Sequence, residues 1–234
     1  MTKLAIIPAR GGSKRILRKN IRSFLNKPII VYSIEAALKS NLFDEVMVST
    51  DDDEIASIAR AHGAKVPFQR SAKNADDVAV LADVVEEVLL TYEKEGLSFE
   101  SVCCILPTAP FVSATLLERS YEKLHTDNFD SIFPIMEFSF PIQRSLKKVD
   151  DKIHMVWEEH MNSRSQDLDT RYHDAGQFYW LKVSTFLNEK KLFMKNSGGI
   201  VISELEAQDI DSETDWKLAE LKYKLMINEK NNTI

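Results

Sequence analysis

LAIIPARGGSKRILRKN, residues 4–20, is the stretch that decides the fold class. It begins with an apolar run that leads into two adjacent glycines, Gly11 and Gly12, as a buried strand does where it turns at the edge of an open α/β sheet. Such sheets bind their ligands beyond the carboxyl ends of the strands, so we expect a binding loop here. Residues 10–22, which we call the basic loop, contain six basic side chains: Arg10, Lys14, Arg15, Arg18, Lys19 and Arg22.

The rest of the chain alternates between apolar runs and helical patterns. The apolar runs are nearly continuous, which is typical of parallel strands covered on both faces. The pattern predicts an α/β fold of three layers, α/β/α, with a mostly parallel sheet, and Asp51 is most simply the N-cap of the second helix. The predicted strands are residues 4–8, 45–50, 101–106, 131–136 and 176–182, and the predicted helices are residues 28–39, 52–62, 78–95, 113–125 and 213–226.

Residues 137–172 interrupt this alternation. They contain polar turns and scattered aromatic side chains without a helical period, and long irregular segments are usually functional or pair with another segment. We interpret residues 137–172 as a β-rich arm or lid within a single domain of residues 1–227. The polar residues 228–234 are expected to form a flexible tail.

The bulk composition restricts the possible function classes. The 234 residues carry a net charge of −6, which is not typical of nucleic-acid binders, and 44% are hydrophobic, enough for an ordinary core. We expect neither a membrane span nor a signal peptide, because the apolar runs are too short. The adjacent Cys103 and Cys104 are expected to be buried thiols, since neighbours in a strand point to opposite faces. These features predict a cytoplasmic protein without a nucleic-acid or membrane partner.

The charge of the basic loop indicates a site for a small polyphosphate. Gly11 and Gly12 are expected to permit positive φ and a close approach of backbone N–H groups to phosphate oxygens. The spacing matches neither the Walker A loop nor the GxGxxG fingerprint. A solvated basic turn is the alternative, but six cations in one loop of an acidic chain favour the polyphosphate site.

A pair of carboxylates near the other end of the chain suggests a metal site. In QDIDSETDW, residues 208–216, an extended backbone would point Asp209 and Asp211 to the same face. Two carboxylates beside a triphosphate are suited to Mg²⁺. Ser212 and Asp215 fit a capping box at the start of the last helix, so the alternative is that both aspartates are turn and cap residues.

The basic loop resembles that of the cytidylyltransferases that activate nonulosonic acids, the CMP-sialic acid synthetases and their relatives. The resemblance covers nearly all of residues 3–226, although Leu17 stands where those enzymes usually have proline. It implies a Rossmann-like nucleotidyltransferase fold that binds CTP, with Mg²⁺ on Asp209 and Asp211. The implied catalytic residues are Arg10, Lys19 and Asp211, and the implied nucleotide site comprises Ala9, Arg10, Gly11, Gly12, Ser13, Lys19, Asn20, Arg70 and Asp77.

Two further stretches, FSFPIQRSL (residues 138–146) and NSRSQDLDTRYHDAGQFYW (residues 162–180), resemble the pseudaminic acid cytidylyltransferases of this family. Leu106 occupies the place of a glutamine that is typical of CMP-sialic acid synthetases, which argues against sialic acid because leucine offers no hydrogen bond. In a strand, Gln177 and Tyr179 would share one face, which could line a pocket. The candidate acceptor-binding residues are Thr108, Gln143, Arg144, Arg164, His173, Asp174, Gln177 and Tyr179.

The resemblance implies an enzyme that joins CTP to a nonulosonic acid, above all pseudaminic acid, and releases pyrophosphate. It also implies a homodimer in which residues 137–172 of one subunit approach the neighbouring site. Within this chemistry, sialic, legionaminic and deoxyoctulosonic acid are further candidate acceptors. Two hypotheses from different classes are a catalytically silent nucleotide-binding protein and a scaffolding dimer, and the former is favoured only by Val78, Val80 and Leu81, which offer cytosine no hydroxyl.

Overall fold

The computed structural model describes residues 2–76 and 78–232, with side chains as far as residue 228. Asp77, one of the predicted nucleotide-binding residues, lies outside the described residues. The strands are β1 (Lys3–Pro8), β2 (Ser23–Phe24), β3 (Lys27–Pro28), β4 (Glu45–Ser49), β5 (Ser101–Ile105), β6 (Ser131–Glu137), β7 (Leu146–Val149), β8 (Lys152–Met155), β9 (Tyr172–Asp174), β10 (Phe178–Lys182) and β11 (Ser197–Val201). The α-helices are α1 (Ile29–Lys39), α2 (Asp53–Ala61), α3 (Leu81–Lys94), α4 (Ala114–Thr126), α5 (Val183–Glu189) and α6 (Glu213–Asn232).

Within the described residues, one central sheet contains seven of these strands. Its order is β11-β6-β10-β5-β1-β4, and β9 pairs with β6. β1 runs parallel to β4 and β5, and β11 runs parallel to β6, whereas β10 is antiparallel to both β5 and β6. The predicted mostly parallel sheet is therefore confirmed, and the carboxyl ends of β1, β4 and β5 meet at one edge.

Side chains of the sheet alternate between two buried layers on opposite faces. Ile7 packs in the layer that contains α1, α2 and α4, whereas Ile6 packs in the layer that contains α3 and α5. The predicted three-layer architecture is therefore confirmed. Cys103 and Cys104 are free, fully buried and in opposite layers, as expected. Burial raises the pKa of the Cys104 thiol to about 12.

A third buried cluster brings the last helix against the beginning of the chain. Trp216 and Ala219 of α6 pack with Ile16 of the basic loop and with Phe24 and Tyr32. The rings of Phe24 and Trp216 meet edge to face at 5.7 Å, a geometry that aromatic pairs prefer. This packing places the start of α6 beside the basic loop.

Between β6 and β9 the chain leaves the central sheet and forms the hairpin β7-β8. Residues 137–172 thus contain one short β-hairpin together with 3-10 turns, while the predicted role as an arm, a lid or a dimer contact stays a prediction. No described helix has both the length and the apolar character needed to cross a membrane. The exposed large apolar side chains of residues 137–172 are Phe140, Leu146, Val149, Ile153, Val156, Trp157, Met161 and Tyr172.

Two helix starts differ from the expected positions because of local capping. Asp52 rather than Asp51 is the N-cap of α2, and its carboxylate accepts hydrogen bonds from the N–H groups of Glu54 and Ile55. α3 begins at Leu81 rather than at residue 78. The Asp76 carboxylate accepts from the N–H groups of residues 78 and 79, and this turn delays the helix.

One helix is longer than the sequence predicts, and several short elements were not predicted. α6 continues to Asn232, so residues 228–232 are helical rather than part of a tail. β11 was not predicted because its sequence, SGGIV, contains two glycines, which are depleted in strands. The short elements β2, β3 and α5 were also not predicted.

Candidate active site

A cleft of about 400 Å³ opens at the carboxyl ends of β1 and β5, and we call it the basic cleft. The ends of these strands contribute Pro8 and Leu106 to its floor. The basic loop forms one wall and the segment that leads into α3 forms another. The loop residues that line the cleft include Arg10, Ser13, Lys14, Arg15, Lys19 and Asn20.

Four of the six cations of the basic loop face this cleft. Arg10 Nη1 donates a hydrogen bond to the Asp76 carbonyl oxygen at 2.6 Å, so it spans the two walls. Asn20 is buried, and its Nδ2 donates to the Arg10 carbonyl oxygen at 2.9 Å, which fixes the path of the loop. Cations concentrated in a cleft attract and orient a polyphosphate. The predicted residues Arg10, Ser13, Lys19 and Asn20 are therefore brought together, whereas Ala9 is fully buried behind the loop.

The remaining two cations of the loop pair with acidic side chains outside the cleft. Arg18 forms ion pairs with Asp52 and Glu54, and its hydrogen bond lowers the pKa of the Asp52 carboxyl. Arg22 donates to both carboxylate oxygens of Glu213, at 2.5 and 2.9 Å, and stacks 4.5 Å from the centre of the Trp216 ring. These two arginines fix the loop to α2 and α6. Four of the six cations of the basic loop thus face the cleft, and the other two anchor the loop to the helices.

Gly11 is required for a reason other than the expected positive φ. Neither Gly11 nor Gly12 has a positive φ, and the left-handed residue of the loop is Arg18. A Cβ on Gly11 would lie 2.7 Å from Asp52 Oδ2, whereas a Cβ on Gly12 would meet nothing within 4 Å. The Gly11 N–H donates to Asp51 Oδ1 at 3.0 Å, so it faces a carboxylate rather than the cleft. The Asp51 side chain therefore positions the loop instead of capping α2.

The two ends of the chain meet at the basic cleft. Lys19 Nζ donates to the Ile210 carbonyl oxygen at 2.7 Å and lies 3.5 Å from Asp211 Oδ1. Arg15 Nη1 lies 2.5 Å from Asp211 Oδ2. Ser212 and Asp215 exchange the hydrogen bonds of the predicted capping box at the start of α6. The structure thus places the late carboxylate beside two cations of the early loop.

A second cleft has a volume of about 390 Å³, and Asp209 is one of its lining residues. Two of the predicted acceptor-binding residues, His173 and Asp174, line this second cleft. Asp211 contacts residues of the basic cleft while Asp209 lines the second one, so the pair of carboxylates lies between the two clefts. Loss of surrounding water, followed by the nearby negative charge of Asp211, raises the pKa of Asp209.

The donor set around these carboxylates fits a magnesium ion that is shared with a nucleotide. Among the described residues, no group of three or more histidine, cysteine, aspartate or glutamate side chains forms a complete protein cage for a metal. Mg²⁺ is usually bound by one or two carboxylates together with substrate phosphates and water. Asp209 and Asp211 provide such a pair. Loss of surrounding water, and after it the negative charge of Asp211, raises the pKa of Asp209, and a bound cation would offset this repulsion.

Arg70 and Thr108 also line the basic cleft. Arg70 is 7% exposed, and its Nε and Nη2 donate to the hydroxyl and carbonyl oxygens of Ser49. Burial lowers the pKa of the Arg70 guanidinium. Thr108 was expected near the acceptor, but its position after β5 places it in the basic cleft instead.

Gln177 and Tyr179 do not form the expected pocket face. Tyr179 is packed in the layer of α3 and α5, and its hydroxyl donates to Asp174. Gln177 is buried, precedes β10 and donates from Nε2 to the Glu206 carbonyl oxygen at 2.5 Å. Both faces of β10 pack against helices. Alternate side chains of this strand therefore enter the two core layers, and neither face lines an open pocket. Tyr179 instead holds Asp174 at the second cleft.

Three predicted acceptor-binding residues lie on the arm and outside both clefts. Gln143 is buried and donates to the Asp169 carbonyl oxygen at 2.8 Å. Arg144 lies 5.9 Å from the ring centre of Phe140, and Arg164 pairs with Asp167 at 2.6 Å. The single chain therefore does not bring these side chains to His173 and Asp174.

Sequence reasoning missed two residues of the basic cleft. Arg15 was not among the predicted site residues, and although its side chain is exposed it pairs with Asp211. Asn74 was not among the predicted site residues, yet it is buried and lines the cleft before α3. No local motif marks Asn74, because its position depends on contacts with a glutamate of α3.

Comparison with known proteins places these observations in a family. The sequence model described as cytidylyltransferase matches residues 4–231. A pseudaminic acid cytidylyltransferase of Campylobacter jejuni is 42% identical over 96% of this chain and 97% of its own length. A CMP-N,N'-diacetyllegionaminic acid synthase of Legionella pneumophila is 30% identical over 94% of this chain and 95% of its own.

A solved structure confirms the fold at lower sequence similarity. The structure of CMP:2-keto-3-deoxy-manno-octonic acid synthetase complexed with CTP superimposes with a TM-score of 0.70 at 17% identity. The match covers 98% of this chain and 100% of that one. The similarity extends over the whole sheet and its flanking helices.

Proposed function

This chain belongs to the cytidylyltransferase family, and on that basis we propose that it couples CTP to a nonulosonic acid and releases pyrophosphate. The observation that carries the proposal is the contact of Lys19 and Arg15 with Asp211. This contact joins two of the cations proposed to bind the triphosphate to one of the two carboxylates proposed to bind Mg²⁺. A solvated basic turn would have no reason to meet a segment from the other end of the chain.

The triphosphate is assigned to the wall formed by the basic loop. Arg10, Lys14, Arg15 and Lys19 provide the countercharge there. Their charges stabilise the pyrophosphate as it leaves, because preorganised cations act where negative charge develops. Bound Mg²⁺ would neutralise phosphate charge, and Asp209 and Asp211 are the residues that would hold it.

The acceptor is assigned to the second cleft, on the far side of the carboxylate pair. His173 and Asp174 offer hydrogen bonds to its hydroxyl and N-acyl groups, and Tyr179 and the Gly176 N–H hold Asp174 in place. The anomeric oxygen of the acceptor forms a bond to the α-phosphorus, the bond from that phosphorus to the bridging oxygen breaks, and the hydroxyl proton is released. Positioning of the two substrates supplies much of the catalysis.

Pseudaminic acid is the proposed acceptor among the nonulosonic acids. Two relatives at 42% and 41% identity are both named pseudaminic acid cytidylyltransferase, whereas an N-acylneuraminate enzyme of Escherichia coli is 28% identical. Leu106 in the basic cleft is consistent with an acceptor other than sialic acid. Legionaminic acid is the second candidate, because two synthases for its diacetyl derivative are 30% and 34% identical.

The decisive experiment measures pyrophosphate release from CTP with pseudaminic, legionaminic, sialic and deoxyoctulosonic acid in parallel. We expect release with CTP and pseudaminic acid at the highest kcat/KM, and little release when ATP, GTP or UTP replaces CTP. Preference for another of these acids would overturn the proposed acceptor while leaving the family chemistry intact. Binding of CTP without pyrophosphate release from any acid would instead support a catalytically silent homologue.

A further inference from the structure

The end of the basic cleft opposite the basic loop is largely apolar. Ala79, Val80, Leu81 and Val84 line it, and none of them can distinguish one pyrimidine from another by side-chain hydrogen bonding. Three polar residues of this segment line the cleft: Arg70, Asn74 and Asp76. Asp76 is exposed and its Oδ1 accepts from the N–H groups of residues 78 and 79, whereas Arg70 and Asn74 are buried. This inference rests on the proposed function, because it concerns how the same cleft selects the base of its nucleotide.

The Asn74 side chain is held in one orientation by α3. It is 8% exposed, and its Nδ2 donates to Glu87 Oε2 at 2.5 Å and to the Asp83 carbonyl oxygen at 3.3 Å. Glu87 is fixed in turn, because its Oε1 accepts a hydrogen bond from the Ser71 N–H at 2.8 Å. Both amide hydrogens of Asn74 therefore have acceptors.

The direction of the Asn74 amide follows from the chemistry of its partners. A carboxylate and a carbonyl oxygen can only accept, so the atom that faces them must be the nitrogen. The amide oxygen is consequently turned away from Glu87, and no residue in the described part of the chain donates to it. Asn74 thus presents a hydrogen-bond acceptor to the cleft it lines.

Arg70 supplies the complementary donor. Its Nε and Nη2 are engaged by Ser49, and its Nη1 has no acceptor among the described residues. The apolar end of the cleft therefore combines one fixed acceptor with one fixed donor. Cytosine carries a 4-amino donor and two acceptors, N3 and O2, whereas uracil carries an acceptor at position 4 and a donor at N3.

We propose that the side-chain oxygen of Asn74 accepts a hydrogen bond from the 4-amino group of cytosine and thereby selects CTP over UTP. With UTP, the uracil O4 would face the Asn74 oxygen, and two acceptors would be buried against each other without a hydrogen. The unmade hydrogen bond, rather than the shape of the base, then rejects uracil. Asn74 thereby determines base specificity, which the apolar side chains of the segment before α3 cannot do.

The test changes the residue and the base separately. Nucleotide binding to the full chain is measured by calorimetry with CTP, UTP and 2-pyrimidinone riboside triphosphate, a CTP analogue that lacks the 4-amino group. The wild type is expected to bind CTP about tenfold or more tightly than the analogue, and Asn74→Ala is expected to bind the two alike. Deleting the Asn74 side chain and deleting the 4-amino group of the base should therefore have coupled effects on the binding free energy. An asparagine with a merely structural role would not produce this coupling.

A second variant acts through the orientation of the amide. Glu87→Gln lets the Asn74 amide adopt either direction, since glutamine can donate as well as accept, so it is expected to weaken the preference for CTP over UTP without removing it. Lys73→Ala, an exposed change in the same turn, is the matched control and is expected to keep the wild-type preference. Circular dichroism confirms that each variant is folded.

The inference is overturned if Asn74→Ala or Glu87→Gln keeps the wild-type preference for CTP over UTP and over the analogue. It is also overturned if the wild type binds all three nucleotides equally. Failure of the proposed function is distinguishable from failure of this inference. The proposed function is tested by pyrophosphate release, and a protein that releases no pyrophosphate can still bind CTP in preference to UTP. A loss of preference confined to Asn74→Ala and Glu87→Gln supports the inference in either case.

Discussion

Gly11 and Gly12 are neighbours in the sequence but face different surroundings. Gly11 touches Asp52, whose carboxylate cannot move aside because it caps α2 and pairs with Arg18. Gly12 borders open space. A sequence containing two adjacent glycines does not reveal which of them is required, because the requirement comes from a residue about forty positions away.

We expect Gly11→Ala to displace the basic loop and lower kcat/KM for CTP, with a loss of roughly 1–3 kcal/mol in the free energy of unfolding. Gly12→Ala is the matched control and is expected to change stability by much less. Thermal unfolding and pyrophosphate release measure both effects. Equal effects of the two substitutions would show that the contact with Asp52 is unimportant.

Asp211→Asn is expected to abolish turnover while the fold is retained. The substitution removes one of the two charges proposed to bind Mg²⁺, which should cost several kcal/mol of transition-state stabilisation, or roughly 100-fold or more in rate. Steady-state pyrophosphate release at increasing Mg²⁺ concentration is the measurement. Full activity of the variant would refute the metal assignment.

The ion pair of Asp52 with Arg18 predicts a pH dependence of stability. The hydrogen bond from Arg18 lowers the folded-state pKa of Asp52 below its ordinary value of 3.8, so the stabilisation is complete above that pH and is lost as the pH falls through the lowered pKa. At neutral pH we expect the free energy of unfolding of the wild type to exceed that of Asp52→Asn by ~1 kcal/mol. Denaturant unfolding should show this difference disappearing at acidic pH. Asp53→Asn, whose partner is the neutral Gln69, should show no comparable change.

Individual site residues were predictable only where a motif fixed their chemistry. Lys19 and Asp211 belong to a charged loop and to an Asp-x-Asp pair, and the structure brings both together. The packing of Tyr179 was not predictable, because strand alternation assigns a face but does not say whether that face is open. Arg15 and Asn74 required knowledge of partners that the local sequence does not reveal.

At the scale of elements, one ion pair joins the basic loop to α6. Arg22 binds both oxygens of Glu213, two residues after Asp211. This bidentate geometry fixes orientation as well as distance. The pair therefore positions Asp211 relative to Lys19 without touching the cleft itself.

We expect Arg22→Gln and Glu213→Gln each to lower kcat/KM for CTP severalfold and to raise the Mg²⁺ concentration needed for half-maximal activity. The double variant is expected to lose little more than either single variant, because both remove the same contact. A double-mutant cycle on kcat/KM measures this coupling. Additive effects would contradict a positioning role for the pair, and Lys39→Gln with Glu35→Gln, a pair within α1, serves as the control cycle.

The strands with continuous apolar sequence were predictable, and the glycine-rich strand was not. β1, β4, β5 and β6 agree with the expected positions to within one residue at each end. In β11 a Cβ on Gly198 would lie 2.3 Å from the ring of Phe129, so packing demands the very residues that lower strand propensity. Tertiary contacts explain this strand, and a local pattern cannot.

At the scale of the whole molecule, the exposed arm is the feature that a single chain leaves unexplained. Its hairpin presents Leu146 and Ile153, each 59% exposed, on one face. Apolar side chains exposed in this way mark interaction surfaces. Together with the acceptor-binding candidates on the arm that lie outside both clefts, they support the proposed homodimer.

We expect the chain to be dimeric at micromolar concentration and Ile153→Asp to shift it towards a monomer with reduced kcat/KM for the acceptor. The charge would be buried in the interface, which is costly without a partner. Sedimentation equilibrium combined with activity across the same concentrations is the measurement. Lys152→Asp lies on the opposite face of the hairpin and should leave the dimer intact, and a fully active wild-type monomer would contradict the proposal.

The position of β10 constrains the order in which the nascent chain can mature. β5 and β6 do not pair with each other, and β10 joins them, although it is synthesised after the arm. Until residues 178–182 have left the ribosome, the two halves of the sheet remain separated by an open seam. The middle of the core is therefore closed late, when β10 enters between β5 and β6, and ribosome-bound fragments that end before β10 should stay sensitive to protease.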